Sequence, residues 1–140
     1  MLIMLIMLIM LILLSGCASQ PDDSLRCGVV SGYLDPDSSQ DLYRAVVTHL
    51  DGKPVISKPN YRLSLGEHTF TFAELISAPS LQVKLAARTP KDLVVRVEAN
   101  RRYHFAAQFN TDKRYRGHDS GFWQPVIWLE EAHACELPVK

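Results

Sequence analysis

Gly117-His118-Asp119-Ser120-Gly121 sets the three residue types of a hydrolytic charge relay side by side. Contiguity argues against that use, because the base of a nucleophilic site has to reach the hydroxyl from another part of the fold. A polar loop accounts for the pentapeptide. The five histidines, His49, His68, His104, His118 and His133, are scattered, and none stands at metal-ligand spacing from a second His, Cys or Asp on one recognisable element. No catalytic residue, metal ligand or cofactor is therefore expected, and His68 is assigned the humbler task of ordering its own turn by hydrogen bonding. The sharper feature is Lys113-Arg114-Tyr115-Arg116 with Trp123 a little further on. Cations interleaved with aromatics can hold a carboxylate, an anionic glycan or a lipid headgroup. The competing account is plain solvated loop charge. Arg101 and Arg102 are not expected to join this patch. If they lie at the start of the strand Tyr103–Phe109, its rise of about 20 Å separates them from the loop that follows.

The elements that must position these residues read as strands. Tyr43 to Leu50 is apolar-rich and ends in Asp51-Gly52, the strongest short hairpin signal in the chain. Tyr61, Leu63 and Leu65 alternate with polar residues, Gly66-Glu67 turns, and His68-Thr69-Phe70-Thr71-Phe72 sends its phenylalanines one way and its threonines the other. That pattern predicts a half-buried hairpin. Leu81/Val83/Leu85, Leu93/Val95/Val97 and Tyr103/Phe105/Ala107/Phe109 continue the period of two, with turns at Thr89-Pro90-Lys91-Asp92 and Asn100-Arg101. Asn110–Gly121 is a charged loop and Phe122–Leu129 the last strand, where Pro125 favours a sheet edge. An apolar edge strand there is either covered or a partner surface. Six to eight short strands with almost no helical period predict a single antiparallel β-sandwich over residues 27–140, with a small β-barrel as the alternative.

Among the chain's 140 residues, fifteen Lys and Arg balance fifteen Asp and Glu. A neutral body argues against nucleic acid as the main partner. All of this charge follows a leader, Met1–Leu14, built only of Met, Leu and Ile. The run is short for a bilayer-spanning helix but suits the apolar region of an export signal. It ends in Leu14-Ser15-Gly16-Cys17, which resembles the lipobox of bacterial lipoproteins. The resemblance implies a signal peptide over 1–16, cleavage before Cys17 and lipidation of that cysteine, with residues 17–26 as the lipidated end and a polar tether. Ala18 and Ser19 after the cysteine, rather than Asp, imply the outer membrane, facing the periplasm or the cell surface. In such an oxidising compartment the remaining pair, Cys27 and Cys135, is expected to form a disulfide rather than two buried thiols.

A second resemblance rests on Leu50-Asp51-Gly52-Lys53-Pro54 and on Tyr61 through Phe72, with Asn100-Arg101-Arg102-Tyr103 before Phe105. This pattern is similar to PEGA-type and related transthyretin-like modules, small β-sandwiches of bacterial surface proteins. It implies a non-catalytic domain. Together the readings predict a lipid-anchored, non-enzymatic envelope protein that binds or assembles with a protein or glycan through Lys113, Arg114, Tyr115, Arg116 and Trp123. The alternative is an inhibitor of a lysozyme- or protease-type enzyme, with Ser31-Gly32-Tyr33 as the loop that enters the cleft.

Overall fold

The computed structural model describes residues 25–138. The expected signal peptide over 1–16, the lipobox-like segment, Cys17 and most of the expected tether lie outside them. The described chain is a β-sandwich with seven strands of five residues or more: β1 (Cys27–Ser31), β3 (Ala45–Leu50), β5 (Asn60–Ser64), β6 (Gly66–Glu74), β8 (Lys91–Val97), β9 (Arg101–Phe109) and β11 (Trp123–Ala132). Four two-residue strands complete it: β2 (Leu42–Tyr43), β4 (Lys53–Pro54), β7 (Gln82–Val83) and β10 (Arg116–Gly117). One sheet runs β11-β9-β1-β5, with β2 also on β9, and the other runs β4-β3-β6-β8. Strands β11 and β5 are the two ends of the first sheet, so it does not close into a barrel.

Burial explains why these segments pair as they do. Phe70 and Phe72 of β6, Val47 of β3 and Val95 and Val97 of β8 meet Val30, Tyr61, Tyr103 and Phe105 of the other sheet. The Phe72 and Phe105 rings lie 4.7 Å apart, and the Tyr61 and Phe70 rings 5.9 Å apart, edge to face. Asp51 and Gly52 both take positive φ and close the short β3–β4 hairpin.

One expectation is corrected, and two features of the sandwich go beyond the pattern of alternation. The turn at Gly66 does not close a hairpin. Ser64 pairs with Cys27 in one sheet while Gly66 pairs with Val97 in the other. Only Leu65 lies between, and Gly66 at φ 114 makes the corner by which the chain changes sheets. The turn at Asn100 is a second such corner, joining β8 of one sheet to β9 of the other. The sandwich is antiparallel as expected, save that β1 pairs with β9 in parallel, Val30 opposite Tyr103, and β7 with β10. Finally, Cys27–Ser31 is a central strand, buried along its whole length. A strand covered on both faces has no alternation to reveal it.

At one end of the sandwich Cys27 and Cys135 are joined by a disulfide. Asn100 completes the clasp: its N–H donates to the Cys27 carbonyl at 2.9 Å, and its Oδ1 accepts from the Cys135 N–H at 3.0 Å. Residues 133–138 thereby return to the start of the domain, where the Leu137 N–H donates to the Leu25 carbonyl. The long strand β9 carries the chain from this clasp to the opposite pole.

Candidate functional site

The opposite pole is built by two loops tied together. The 110–122 loop and the 75–88 segment meet in a two-stranded parallel ribbon, Arg116 opposite Gln82 and Gly117 opposite Val83, extended by the Lys84 N–H donating to the Gly117 carbonyl at 2.7 Å. A buried ion pair fixes the 75–88 segment. Glu74 accepts from Arg88 Nε at 2.5 Å and Nη2 at 2.7 Å, and also from the Ile76 N–H, while Arg88 Nη2 reaches the Ile76 carbonyl. The hydrogen bond to the carboxylate raises the Arg88 pKa further, so the guanidinium stays charged. Lys91 holds the other loop. Its Nζ donates to the Ser120 and Trp123 carbonyls, each at 2.7 Å, and burial lowers its pKa.

Between these segments lies a cleft of about 300 Å³. Ser80 and Leu81 line it from the 75–88 segment, Phe109 from the end of β9, and Lys113, Arg114 and Tyr115 from the 110–122 loop. Three of the five residues expected to form a binding surface therefore come together here. Tyr115 is only 9% exposed; its hydroxyl donates to Asp112, which pushes the phenol pKa up to about 12, and Lys113 Nζ sits 4.9 Å from its ring centroid. Lys113 also pairs with Asp119 at 3.3 Å. Asp119 accepts the Gly121 N–H, and that bond and the lysine hold its pKa down. Arg114 is exposed and has no ion pair among the described residues.

The other two residues fall elsewhere. Arg116 is exposed in the ribbon rather than along the cleft. Trp123 is 1% exposed and belongs to the core, packed with Phe122 and capped by Lys91, whose Nζ is 5.5 Å from its ring. It cannot offer its ring to a partner. Its strand, β11, is a sheet edge as Pro125 requires. Phe109 turns its N–H toward Asp41 across β2, so Pro125 opposite Ala107 turns its nitrogen away from β9, where no ladder donor is needed. Arg101 and Arg102 lie at the far end of β9, paired with Glu130 at 3.2 Å and Glu131 at 2.5 Å.

Two clusters lie apart from the cleft, and of them only the hydrogen bonding of His68 at its turn was legible in the sequence. His104, 1% exposed, bonds through Nε2 to Glu131 at 2.9 Å beneath Tyr33, leaving Nδ1 without a partner. His104 and Arg102 together lower the Glu131 pKa. The second cluster unites Asp51, His68 and Ser64, which outwardly have the order of a charge relay. His68 Nδ1 lies 2.8 Å from Asp51 Oδ2, but Nε2 lies 2.8 Å from the Ser64 carbonyl and 3.4 Å from its hydroxyl. Nε2 lies closer to the carbonyl than to the hydroxyl, and 3.4 Å is longer than the contact by which a base takes a seryl proton. The cluster ties the Gly66 corner to the Asp51-Gly52 turn, with the Thr69 N–H also on Asp51. Only the three residue types, brought near by two turns, could have signalled it.

Among the described residues, no group of three or more His, Cys, Asp or Glu is placed to hold a metal. Of Ser31-Gly32-Tyr33, Ser31 is fully buried in β1 and the Phe105 ring occupies the space beside Gly32, while Tyr33 is 45% exposed and lies over the His104 ring. Comparison with protein-family models, with curated proteins and with solved structures gives no match to the chain.

Proposed function

We propose that the chain is a non-catalytic, lipid-anchored module of the bacterial outer envelope that presents the Lys113–Arg114–Tyr115 cleft to a partner. The observation that carries this reading is polarity along β9. Arg101, at its start, adjoins the clasp where the described chain begins. Phe109, at its end, lines the cleft about 26 Å away at ordinary strand rise. A tether leaving Leu25 toward a lipidated Cys17 would put the clasp nearest the membrane and the cleft farthest from it. Anchoring holds such a surface at high effective concentration against neighbours in the same envelope.

Two measurements test the parts separately. Mass spectrometry of the mature chain is expected to find a diacylglyceryl thioether and an acylated amino group on Cys17; an unmodified amino terminus overturns the anchor. A photo-crosslinking residue at Ser80, in native membranes, is expected to capture a defined envelope partner, while one at Glu98, beside the clasp, does not. Equal capture at both positions, or none at Ser80, overturns the cleft as the partner-facing surface.

A further inference from the structure

The cleft is one arm of a longer groove. An adjoining depression of about 520 Å³ shares Phe109, Asn110, Thr111 and Tyr115 with it and adds Asp41 and Asp112. One end of this continuous surface therefore carries cations and the other carboxylates, with Phe109 and Tyr115 between them. We propose that the groove binds a short peptide bearing both a free carboxylate and a free ammonium group, the carboxylate at Arg114 and the ammonium at Asp41. The proposal rests on the reading that this pole faces the partner.

The unspent bonding capacity lies at those two residues. Lys113 is shared between Asp119 and the Tyr115 ring, and Asp112 accepts the Tyr115 hydroxyl. Arg114 has no carboxylate partner among the described residues. The Asp41 carboxylate reaches only Thr111 Oγ1, at 3.5 Å, the far limit of a hydrogen bond, and no cation pairs with it among the described residues. Its backbone is nevertheless fixed. Asp41 sits at φ 60 and ψ 29 in the left-handed region, its N–H donates to the Ser38 carbonyl, and its carbonyl accepts from the Phe109 N–H at 2.8 Å. A carboxylate so placed and so little used is a preformed acceptor.

Charge of both signs also decides the ligand class. A purely anionic ligand, such as an acidic glycan, would gain at Arg114 and meet repulsion at Asp41 and Asp112. A purely cationic one would suffer the reverse. A ligand with both charges gains at each end and is fixed in one direction. The apolar middle, Leu81, Phe109 and Tyr115, accepts a side chain rather than a third charge.

The test is calorimetric titration of the full chain in detergent with oligo-alanines of two to five residues, each with free termini, as its carboxyl-terminal amide, or amino-acetylated. At least one length with free termini is expected to bind. Because a hydrogen bond to a charged group contributes about 1.5–3 kcal/mol, amidation and acetylation should each weaken that binding by roughly tenfold or more. Arg114→Gln should abolish the effect of amidation and keep that of acetylation. Asp41→Asn should do the opposite, and asparagine tolerates the left-handed backbone, so the fold is retained. This crossed pattern cannot come from general unfolding. Silence of every peptide, or equal affinity of free and blocked forms, overturns the proposal, as does sensitivity to amidation alone, which would mark a simple anion site. If Ser80 crosslinks a partner while the peptides are silent, the dipolar groove fails and the partner-facing pole stands. Absence of crosslinking removes that reading itself.

Discussion

The two poles of the sandwich are built from similar residues and use them in opposite ways. At the clasp, Arg101 and Arg102 are matched by Glu130 and Glu131, His104 shares Glu131, and Arg62 reaches the Glu136 carbonyl at 3.3 Å. At the other pole Lys113 has Asp119, but Arg114 and Asp41, on the same groove, pair with neither each other nor any other charged residue among those described. Paired charges fix a register between strands, and most exposed pairs add little else to stability. Unpaired charges held on a fixed backbone remain available to something outside the chain. The contrast is thus between charge that assembles the domain and charge that the domain displays.

The largest way to stress this contrast is to open the clasp. Cys27 and Cys135 are 108 residues apart in sequence, and a link closing a loop of that length stabilises by roughly 4–5 kcal/mol in the chain-entropy picture. Cys27→Ala with Cys135→Ala is expected to lower the urea midpoint accordingly. In hydrogen exchange, protection should fall first around Asn100 and residues 133–138, and last in β6 and β8. Uniform loss would mean that the clasp is not a separable part. Next in size is Trp123→Ala, which empties a fully buried site beneath the displayed loop and should cost about 3–5 kcal/mol. A smaller loss, comparable with a surface change, would put the indole back at the surface, where the sequence reading had it.

Why that reading misplaced Trp123 is instructive. Period-two alternation reports which face a residue takes, and it located the core phenylalanines of β6, the valines of β8 and the aromatics of β9. It does not report which strand lies alongside. Ser64 to Gly66 has the spacing of a hairpin, yet the corner hands the chain to the other sheet, and nothing in the local sequence distinguishes the two outcomes. Cys27–Ser31 lacked alternation because both its faces are covered. Phe122 to Leu129 is apolar on both faces, which leaves Trp123 open between core packing, the commoner outcome for such rings, and a partner surface, and Lys91, which caps it, is distant in sequence. Lys113-Arg114-Tyr115 was legible because three adjacent loop residues share a neighbourhood whatever the fold. Asp41 was not, because it reaches the groove only through the pairing of β2 with β9.

A pH titration probes the charges that assemble the domain. Asp51 has its pKa lowered, first by the bond to His68 and then by the Thr69 N–H, and Glu131 by His104 and Arg102. For a carboxylate whose folded pKa is depressed, the stabilisation is complete above its unfolded value, 3.8 for Asp51 and 4.5 for Glu131, and is lost as pH falls through the folded value. Unfolding midpoints should therefore be flat near neutrality and fall below about pH 4. Asp51→Asn should be less stable than the native chain at neutral pH and approach it in acid. Parallel curves for the two proteins would remove Asp51 as a contributor to the acid response.

The smallest effect on stability is expected at Arg114, and its smallness carries the argument. Arg114→Ala removes an exposed side chain with no ion pair among the described residues, and changes of that kind fall within about 0.5 kcal/mol. The same substitution should abolish capture at Ser80 in membranes, whereas Arg102→Ala, which breaks the pair with Glu131 at the clasp, should lower the unfolding midpoint and leave capture intact. The two variants separate display from assembly only if both halves of that pattern appear. If Arg114→Ala destabilised the domain as much as Arg102→Ala did, its guanidinium would be holding the loop together, and the two poles would differ in degree rather than in kind.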